Sequence, residues 1–532
     1  MPRRPPPPPS NSRRRLLVAL GFGAANVALL KSMSGGDSQS VELSSGGAPV
    51  TTIPSAGSSS STTVVDRPLT EPPAMADAGP EVDPATHVFD VVISGGRVID
   101  PMSGFDGLLD VGINGSVITA IAPPGLTGTT VIDATDKVVA PGFVDILSYE
   151  PNQFGVWFKV ADGVTTNLAM HGVNNYANAF FDRYAGATPI HFGGAFHQHF
   201  MRGEDIGAKP DKPLDEAQLT EFAELTASNL ANGLAGVAFS PEYSPATTTE
   251  ELNELGAVAK EYGHVAFFHT RSSDPASSQA GVIEAVNLGR NLGIPVHIEH
   301  ITSTGGTSHM QETLAILDRA RAEGIDATAC VYPYNFWATT LASFRFAGDW
   351  QARYGITYED LQIAGTETRL TESTFAQAQA ENLLVAAHGS IPEAELQLAL
   401  QRDWVMLGSD AILTESLNNH PRASGTFSRM LGHYVRDLGL VDLPSGLAKM
   451  TSLPTQRVEG MIPAMRRKGR LQRGADADVT IFDPATVGDR ATVSQPDLPA
   501  TGIEHVMVDG QFVMTAGAVQ RTVLPGRPLQ SG

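Results

Sequence analysis

The chain has 532 residues, with 36 basic and 57 acidic side chains and a formal charge of −21. At 42% apolar and 17% charged residues its composition is that of an ordinary globular protein, neither fibrous nor disordered throughout. The acidic balance argues against a protein that tracks nucleic-acid phosphates, and a single Cys excludes both an internal disulfide framework and a Cys-rich zinc module.

Residues 1–33 carry Arg3, Arg4, Arg13, Arg14, Arg15 and Lys31 and no acid. The basic stretch runs into an apolar segment from Leu16 to Leu30, which is shorter than the roughly 20 residues that span a bilayer. A basic flank before a short apolar core reads as an export signal, and Arg13-Arg14-Arg15-Leu16-Leu17 resembles a bacterial twin-arginine signal. The expectation is an exported or periplasmic protein, with a membrane tether through residues 16–30 as the alternative. Residues 34–86 are Ser, Thr, Gly, Pro and Ala with few large apolar side chains, a composition expected to form a flexible linker.

From Phe89 the texture changes to short alternating strands. Phe89 to Ile93 meets Gly95-Gly96 and then Val98-Ile99, and Asp110 to Ile113 meets Asn114-Gly115 and then Val117 to Ile121. The same texture returns in Asp478 to Phe482 and in His505 to Val508, which turns at Asp509-Gly510 into Phe512 to Met514. Neither end alone has enough strands for a stable sheet, so residues 88–140 and 466–529 are expected to form one β-sandwich.

Between them, over 141–465, strand-like and helix-like segments alternate, which suggests an α/β (β/α)8 TIM barrel. Strands are expected at 143–148, 164–170, 189–196, 236–240, 265–270, 295–300, 328–333, 383–388 and 404–410. That is one more than a barrel takes, and 383–388 is the expected outsider. A helix is expected over 309–323, capped by Ser308 with Gln311 and ended by Gly324.

Functional residues of such barrels lie at the C-terminal ends of the strands. His269 ends the fifth strand, His300 the sixth and Asp410 the last. Two imidazoles and a carboxylate converging on one mouth suit a divalent zinc-type ion, and a carboxylate there can move a proton. Cys330, inside Ala329-Cys-Val-Tyr, reads as a small buried strand residue.

The chain resembles the amidohydrolase superfamily, nearest to the N-acyl-D-amino-acid deacylases and D-glutamate-deacylase-like proteins. The segments that carry the resemblance are Ala140-Pro-Gly-Phe-Val-Asp145, Asp162-Gly-Val-Thr-Thr166, His269-Thr-Arg271, Glu299-His300, Tyr332-Pro-Tyr334 and Gly408-Ser-Asp410. Further on come His420-Pro-Arg422, Gly425-Thr-Phe427, Met450-Thr-Ser-Leu-Pro454 and Gly474-Ala-Asp-Ala-Asp478. The resemblance implies a barrel with a β-sandwich and a metal held by His269 and His300. It also implies that Asp410 serves as the proton-transfer acid and that Arg422 pairs with a substrate carboxylate, with Tyr332 or Tyr334 beside it.

Two departures stand out. Where the family has His-x-His on the first strand, this chain has Leu147 and Tyr149, neither of them a metal ligand at neutral pH. On the second strand His171, offset by one residue, stands nearest to the family's bridging ligand, and Thr302 and Ser303 follow His300 where the family has a lysine. His197-Gln198-His199 offers the His-x-His spacing after the third strand, as a compensating pair or as ordinary hydrogen-bonding residues.

The expected function is hydrolysis of a linear amide C–N bond in a small substrate that carries a carboxylate. One divalent ion, zinc by its ligands, would be held by His269, His300 and His171. The alternatives are a non-catalytic relative that keeps the barrel as a binding module, and a hydrolase of cyclic amides of the hydantoinase or dihydroorotase kind.

Overall fold

The computed structural model describes residues 71–271, 278–415 and 420–532. The expected export segment at 1–33, with its apolar run at 16–30, and residues 34–70 of the expected linker lie outside these. Residues 71–86, read from the sequence as the end of that linker, lie against folded structure: Met75 N–H donates to Arg473 O at 2.9 Å, and Arg473 Nη1 donates to Gly79 O at 2.9 Å. No helix among the described residues is long and apolar enough to cross a membrane.

Both ends of the described chain enter one nine-stranded sheet. Its order is 518–519, 511–515, 503–508, 479–482, 138–141, 88–100, 105–114 and 117–122, and 127–133 pairs beside 88–100. Gly95-Gly96 does not separate two strands, as the sequence suggests, but makes a bulge inside one strand, Val88–Asp100. Gly95 takes φ +71°, and a Cβ on Gly96 would lie 2.5 Å from Val139 Cγ2, so the bulge needs both glycines. Asn114-Gly115 and Asp509-Gly510 turn where expected. Ile93, Val98, Leu109 and Ile118 from one end share a core with Leu471, Val479 and Met507 from the other.

Eight parallel strands form the barrel, each hydrogen-bonded to the next in chain order. They are β1 (Phe143–Asp145), β2 (Val164–Val173), β3 (His191–His197), β4 (Val237–Phe239), β5 (Ala266–Phe268), β6 (Val296–Ile298), β7 (Ala327–Val331) and β8 (Val405–Leu407). Alternate side chains face two different cores. Val144, Leu168, Ala195, Ala238, Phe267, Cys330 and Met406 pack together inside the barrel, while Val164, Phe239, Phe268, Ile298 and Val331 pack outward toward the helices.

The segment 383–388 does lie outside the barrel. Leu384–Ala387 sits between Trp337–Thr340 and Leu361–Ile363 in a separate antiparallel sheet, inserted between β7 and β8. The helix expected at 309–323 spans Met310–Ala322. Its expected capping box does not form: Ser308 takes φ +66° and its N–H donates to Glu395, leaving His309 as an N-cap without a side-chain bond.

No ladder bond joins β1 to β8 among the described residues, and side chains close that seam. Asp145 accepts from Ser409 N–H at 2.9 Å, from Ser409 Oγ at 2.6 Å and from Lys159 Nζ at 2.7 Å, all of them buried. Asp410 N–H then donates to Leu147 O at 2.7 Å. A Cβ on Gly408 would lie 2.5 Å from Leu147 Cβ, so this close approach of the two chain segments requires glycine there.

Candidate active site

Strand parity decides which strand-end side chains reach the barrel mouth. On β5, Phe267 faces the interior, so His269, two residues on, does too. On β8, Met406 faces in, and Asp410 follows four residues later. On β6, Val296 and Ile298 face the helices, so Glu299 faces in and His300 would face out. The strand ends at Ile298, however, and His300 takes φ +27°, which turns its ring to the same side as Glu299.

His171 shows the same kind of local correction. Leu168 and Met170 face the interior, so simple alternation would send His171 outward. Between Ala169 and Val173 the pairing with β3 shifts register, four residues of β2 passing two of β3. This bulge swings His171 to the mouth. Gly172 sits at φ +110° against the His197 ring, where a Cβ would lie 2.4 Å from that residue's own Cβ.

His171, His269, Glu299 and His300 therefore converge, and one ligand atom from each lies within 4.8 Å of the others. All four are buried. His171 Nδ1 is 2.6 Å from Glu299 Oε2, and His269 Nδ1 is 3.1 Å from His300 Nε2. Glu299 Oε1 and His300 Nδ1 are buried with no hydrogen-bond partner. Three imidazoles and a carboxylate, two of the four residues carrying an unpaired buried atom, form a set that fits a zinc-type divalent ion, because unpaired buried polar atoms are costly unless something binds them.

Charged side chains behind this set hold His269 in place. Glu242, in the loop after β4, lies 2.5 Å from His269 Nε2, and Arg345 of the inserted segment reaches the same Glu242 oxygen at 3.4 Å. Burial would raise the Glu242 pKa, but Arg345 and the His269 bond bring it down to about 2. For His171, burial disfavours the charged ring, yet Glu299 raises its pKa above the usual value. Burial drives the His300 pKa well below normal.

Asp410 takes φ +48°, and both of its carboxylate oxygens are engaged. Tyr149 OH donates to Oδ1 at 3.1 Å, and Arg422 Nη2 lies 2.9 Å from Oδ2. His300 Nε2 is 3.7 Å from that same Oδ2. Burial would raise the Asp410 pKa, but Arg422 and then His300 hold it well below the usual carboxylate range. Arg422 stacks on Tyr332, its guanidinium carbon 4.3 Å from the ring centre.

The structure thus brings Asp410, His269, His300, His171, Arg422 and Tyr332 to one mouth. Tyr334 is not among them: its hydroxyl donates to Asp489 Oδ2 at 3.2 Å beneath Arg429, away from the cluster. His197 and His199 do not form a His-x-His pair on one strand face, because β3 ends at His197 and His199 lies in the helix that follows. His197 Nδ1 bonds Asn174 Oδ1 at 2.9 Å, and His199 Nδ1 bonds Ser244 Oγ at 2.6 Å. Glu299, Glu242, Arg345 and Tyr149 were not singled out from sequence as site residues. Only Glu299 had a legible signal, the parity of Val296 and Ile298.

A parallel eight-stranded barrel with imidazoles and carboxylates at its C-terminal mouth defines a hydrolase barrel of the metal-dependent type. A model of the amidohydrolase family matches residues 270–514. The N-acyl-D-glutamate deacylase of Alcaligenes xylosoxydans xylosoxydans is 31% identical over 490 residues, covering 83% of this chain and 96% of that one. The chain belongs to the amidohydrolase family.

Two solved structures share its fold closely. One is an N-acyl-D-glutamate deacylase from Bordetella bronchiseptica, complexed with zinc and a phosphonate mimic of the tetrahedral intermediate. It is 25% identical with a TM-score of 0.70, covering 84% of this chain and all (100%) of that one. The other is a D-aminoacylase whose binuclear metal centre shows one-metal activation and second-metal attenuation. It is 25% identical with a TM-score of 0.71, covering 83% and 100%. A more distant relative is the dihydroorotase of Trichlorobacter lovleyi, 23% identical over 469 residues, 83% of this chain and 99% of that one.

Proposed function

We propose that this chain is a metal-dependent deacylase that hydrolyses the linear amide of an N-acyl amino acid, with the D configuration suggested by its relatives. The observation that carries this reading is the convergence of His171, His269, Glu299 and His300 beside an Asp410 paired with a buried arginine. These four residues would hold one divalent ion, zinc by the nature of the ligands. When bound, that ion polarises the amide carbonyl and makes water a stronger nucleophile.

The chain's own groups account for the other requirements. Asp410 takes the proton of the attacking water on a carboxylate oxygen and returns it to the departing amine nitrogen. Arg422 presents a planar fork to the substrate carboxylate, with Tyr332 as the floor beneath it. Glu242 keeps His269 oriented through Nε2, as outer carboxylates do for ligating histidines. Leu147 and Tyr149 remove the first-strand ligands, so a one-ion site is the expected state.

Assay of the purified protein on N-acetyl-D-amino acids, with metal content measured per chain, tests this reading. Release of the free amino acid by protein carrying one ion per chain supports it. Hydrolysis of dihydroorotate or a hydantoin with no deacylation would replace it with the cyclic-amide reading. For residues 1–33, the basic flank and short apolar core support an export role, tested by whether a reporter fused after residue 33 leaves the cytoplasm.

A further inference from the structure

Arg422 meets the carboxylate of Asp410 with one end of its fork only. The Nε–H and Nη2–H of a guanidinium share one edge, the edge that grips a carboxylate side-on. In Arg422 the Nη2 end of that edge is on Asp410 Oδ2 at 2.9 Å, while Nε is buried with no partner. The fork is half used. Tyr332 under the guanidinium restrains tilting and leaves in-plane movement as the easy direction. On the other oxygen, Tyr149 OH holds Oδ1 at 3.1 Å. With both oxygens engaged, Asp410 is not presented to a water or to an amine, and a general base must lie within hydrogen-bond reach of the proton it takes.

We propose that the Arg422–Asp410 ion pair is a latch which the substrate's own carboxylate opens: it takes the Nε–Nη2 edge of Arg422, releases Asp410 Oδ2, and thereby makes a carboxylate a requirement for turnover and not only for binding. The inference rests on the deacylase reading and adds a specificity device to it. An arginine used only for binding would discriminate through KM, since contacts equal in the ground and transition states leave kcat alone. A latch discriminates through kcat.

The experiment compares an N-acetyl-D-amino acid with the N-acetyl amine that has the same side chain and no carboxylate, on the metal-loaded full chain at saturating substrate. The expected result is a kcat about 100-fold lower for the carboxylate-free amide, the scale of a lost general base. Free propionate, filling the vacant edge of Arg422, should then speed hydrolysis of the carboxylate-free amide. A bare binding site predicts inhibition by propionate or no effect, and either result overturns the latch, as do equal kcat values. Arg422→Ala should hydrolyse the carboxylate-free amide faster than the wild type, even though its KM for the acid rises.

If neither amide is turned over, the deacylase reading fails and a crystal structure with propionate decides the latch separately. Arg422 moved onto propionate with Asp410 Oδ2 released supports it. Arg422 still on Asp410, or no bound propionate, overturns it.

Discussion

Tyr149 donates its hydroxyl to Asp410 Oδ1 at 3.1 Å, across the seam where the first and last barrel strands meet. At a position where the family resemblance leads one to expect a ligating histidine, this side chain meets the Asp410 carboxylate instead. The neighbouring contacts run the same way, from Asp145 to Ser409 and from Leu147 O to Asp410 N–H. Removing the hydroxyl while keeping the ring, with Tyr149→Phe, should lower kcat about fivefold, the worth of about 1 kcal/mol of hydrogen bond. KM and metal content should stay unchanged. A loss of metal in this variant would show that Tyr149 acts on the ligand set and not on Asp410.

Asp410→Asn keeps the shape and removes the proton acceptor. Turnover should fall about 10²- to 10⁴-fold with circular dichroism and melting temperature little changed. Unchanged activity would sink the mechanism.

Removal of ligands should separate the three converging histidines from the Glu242 carboxylate behind His269. His269→Ala, His300→Ala and His171→Ala should each lower the metal content per chain, measured by elemental analysis after mild chelation. Loss of outer partners typically weakens metal binding about 10- to 100-fold, so Glu242→Gln should bind metal more weakly without losing the site. Wild-type metal content in all three histidine variants would remove these histidines from the ligand set.

Lys159 and Asp145 form a fully buried ion pair at 2.7 Å under the seam. Lys159→Met leaves Asp145 as an uncompensated buried charge and should cost about 3–5 kcal/mol of unfolding free energy. Denaturant unfolding measures it; a loss below about 1 kcal/mol would mean that the two donors of Ser409 suffice to hold Asp145.

Acid should destabilise the fold before carboxylates protonate. Burial lowers the His264 pKa to about 4 and, together with Arg457, lowers His297 to about 3, from an ordinary value of 6.5. Between those values the unfolded chain binds more protons than the folded one, so stability is complete above pH 6.5 and falls as the pH drops toward 4 and 3. Thermal unfolding followed from pH 7 to 4 should show this slope. His264→Gln should flatten it, and an unaltered slope would remove His264 as a source.

The hydrophobic alternation, the turn pairs Asn114-Gly115 and Asp509-Gly510, and the strand ends at His269, His300 and Asp410 are legible in the sequence. Each depends on near neighbours along the chain: period-two burial, φ-positive turn residues and a polar side chain just past an apolar run. The sequence also marks what is missing, Leu147 and Tyr149 in place of His-x-His. Tertiary structure alone decides that His171 faces inward, since that follows from a bulge set by the pairing of β2 with β3. It alone brings Glu242 from the loop after β4 to His269 and Arg345 from the insertion to Glu242, the latter a contact between residues 103 positions apart that no local period encodes. And it alone shows that Arg422 rests on Asp410, because that pair depends on how helix Arg422–Arg429 sits against the end of β8.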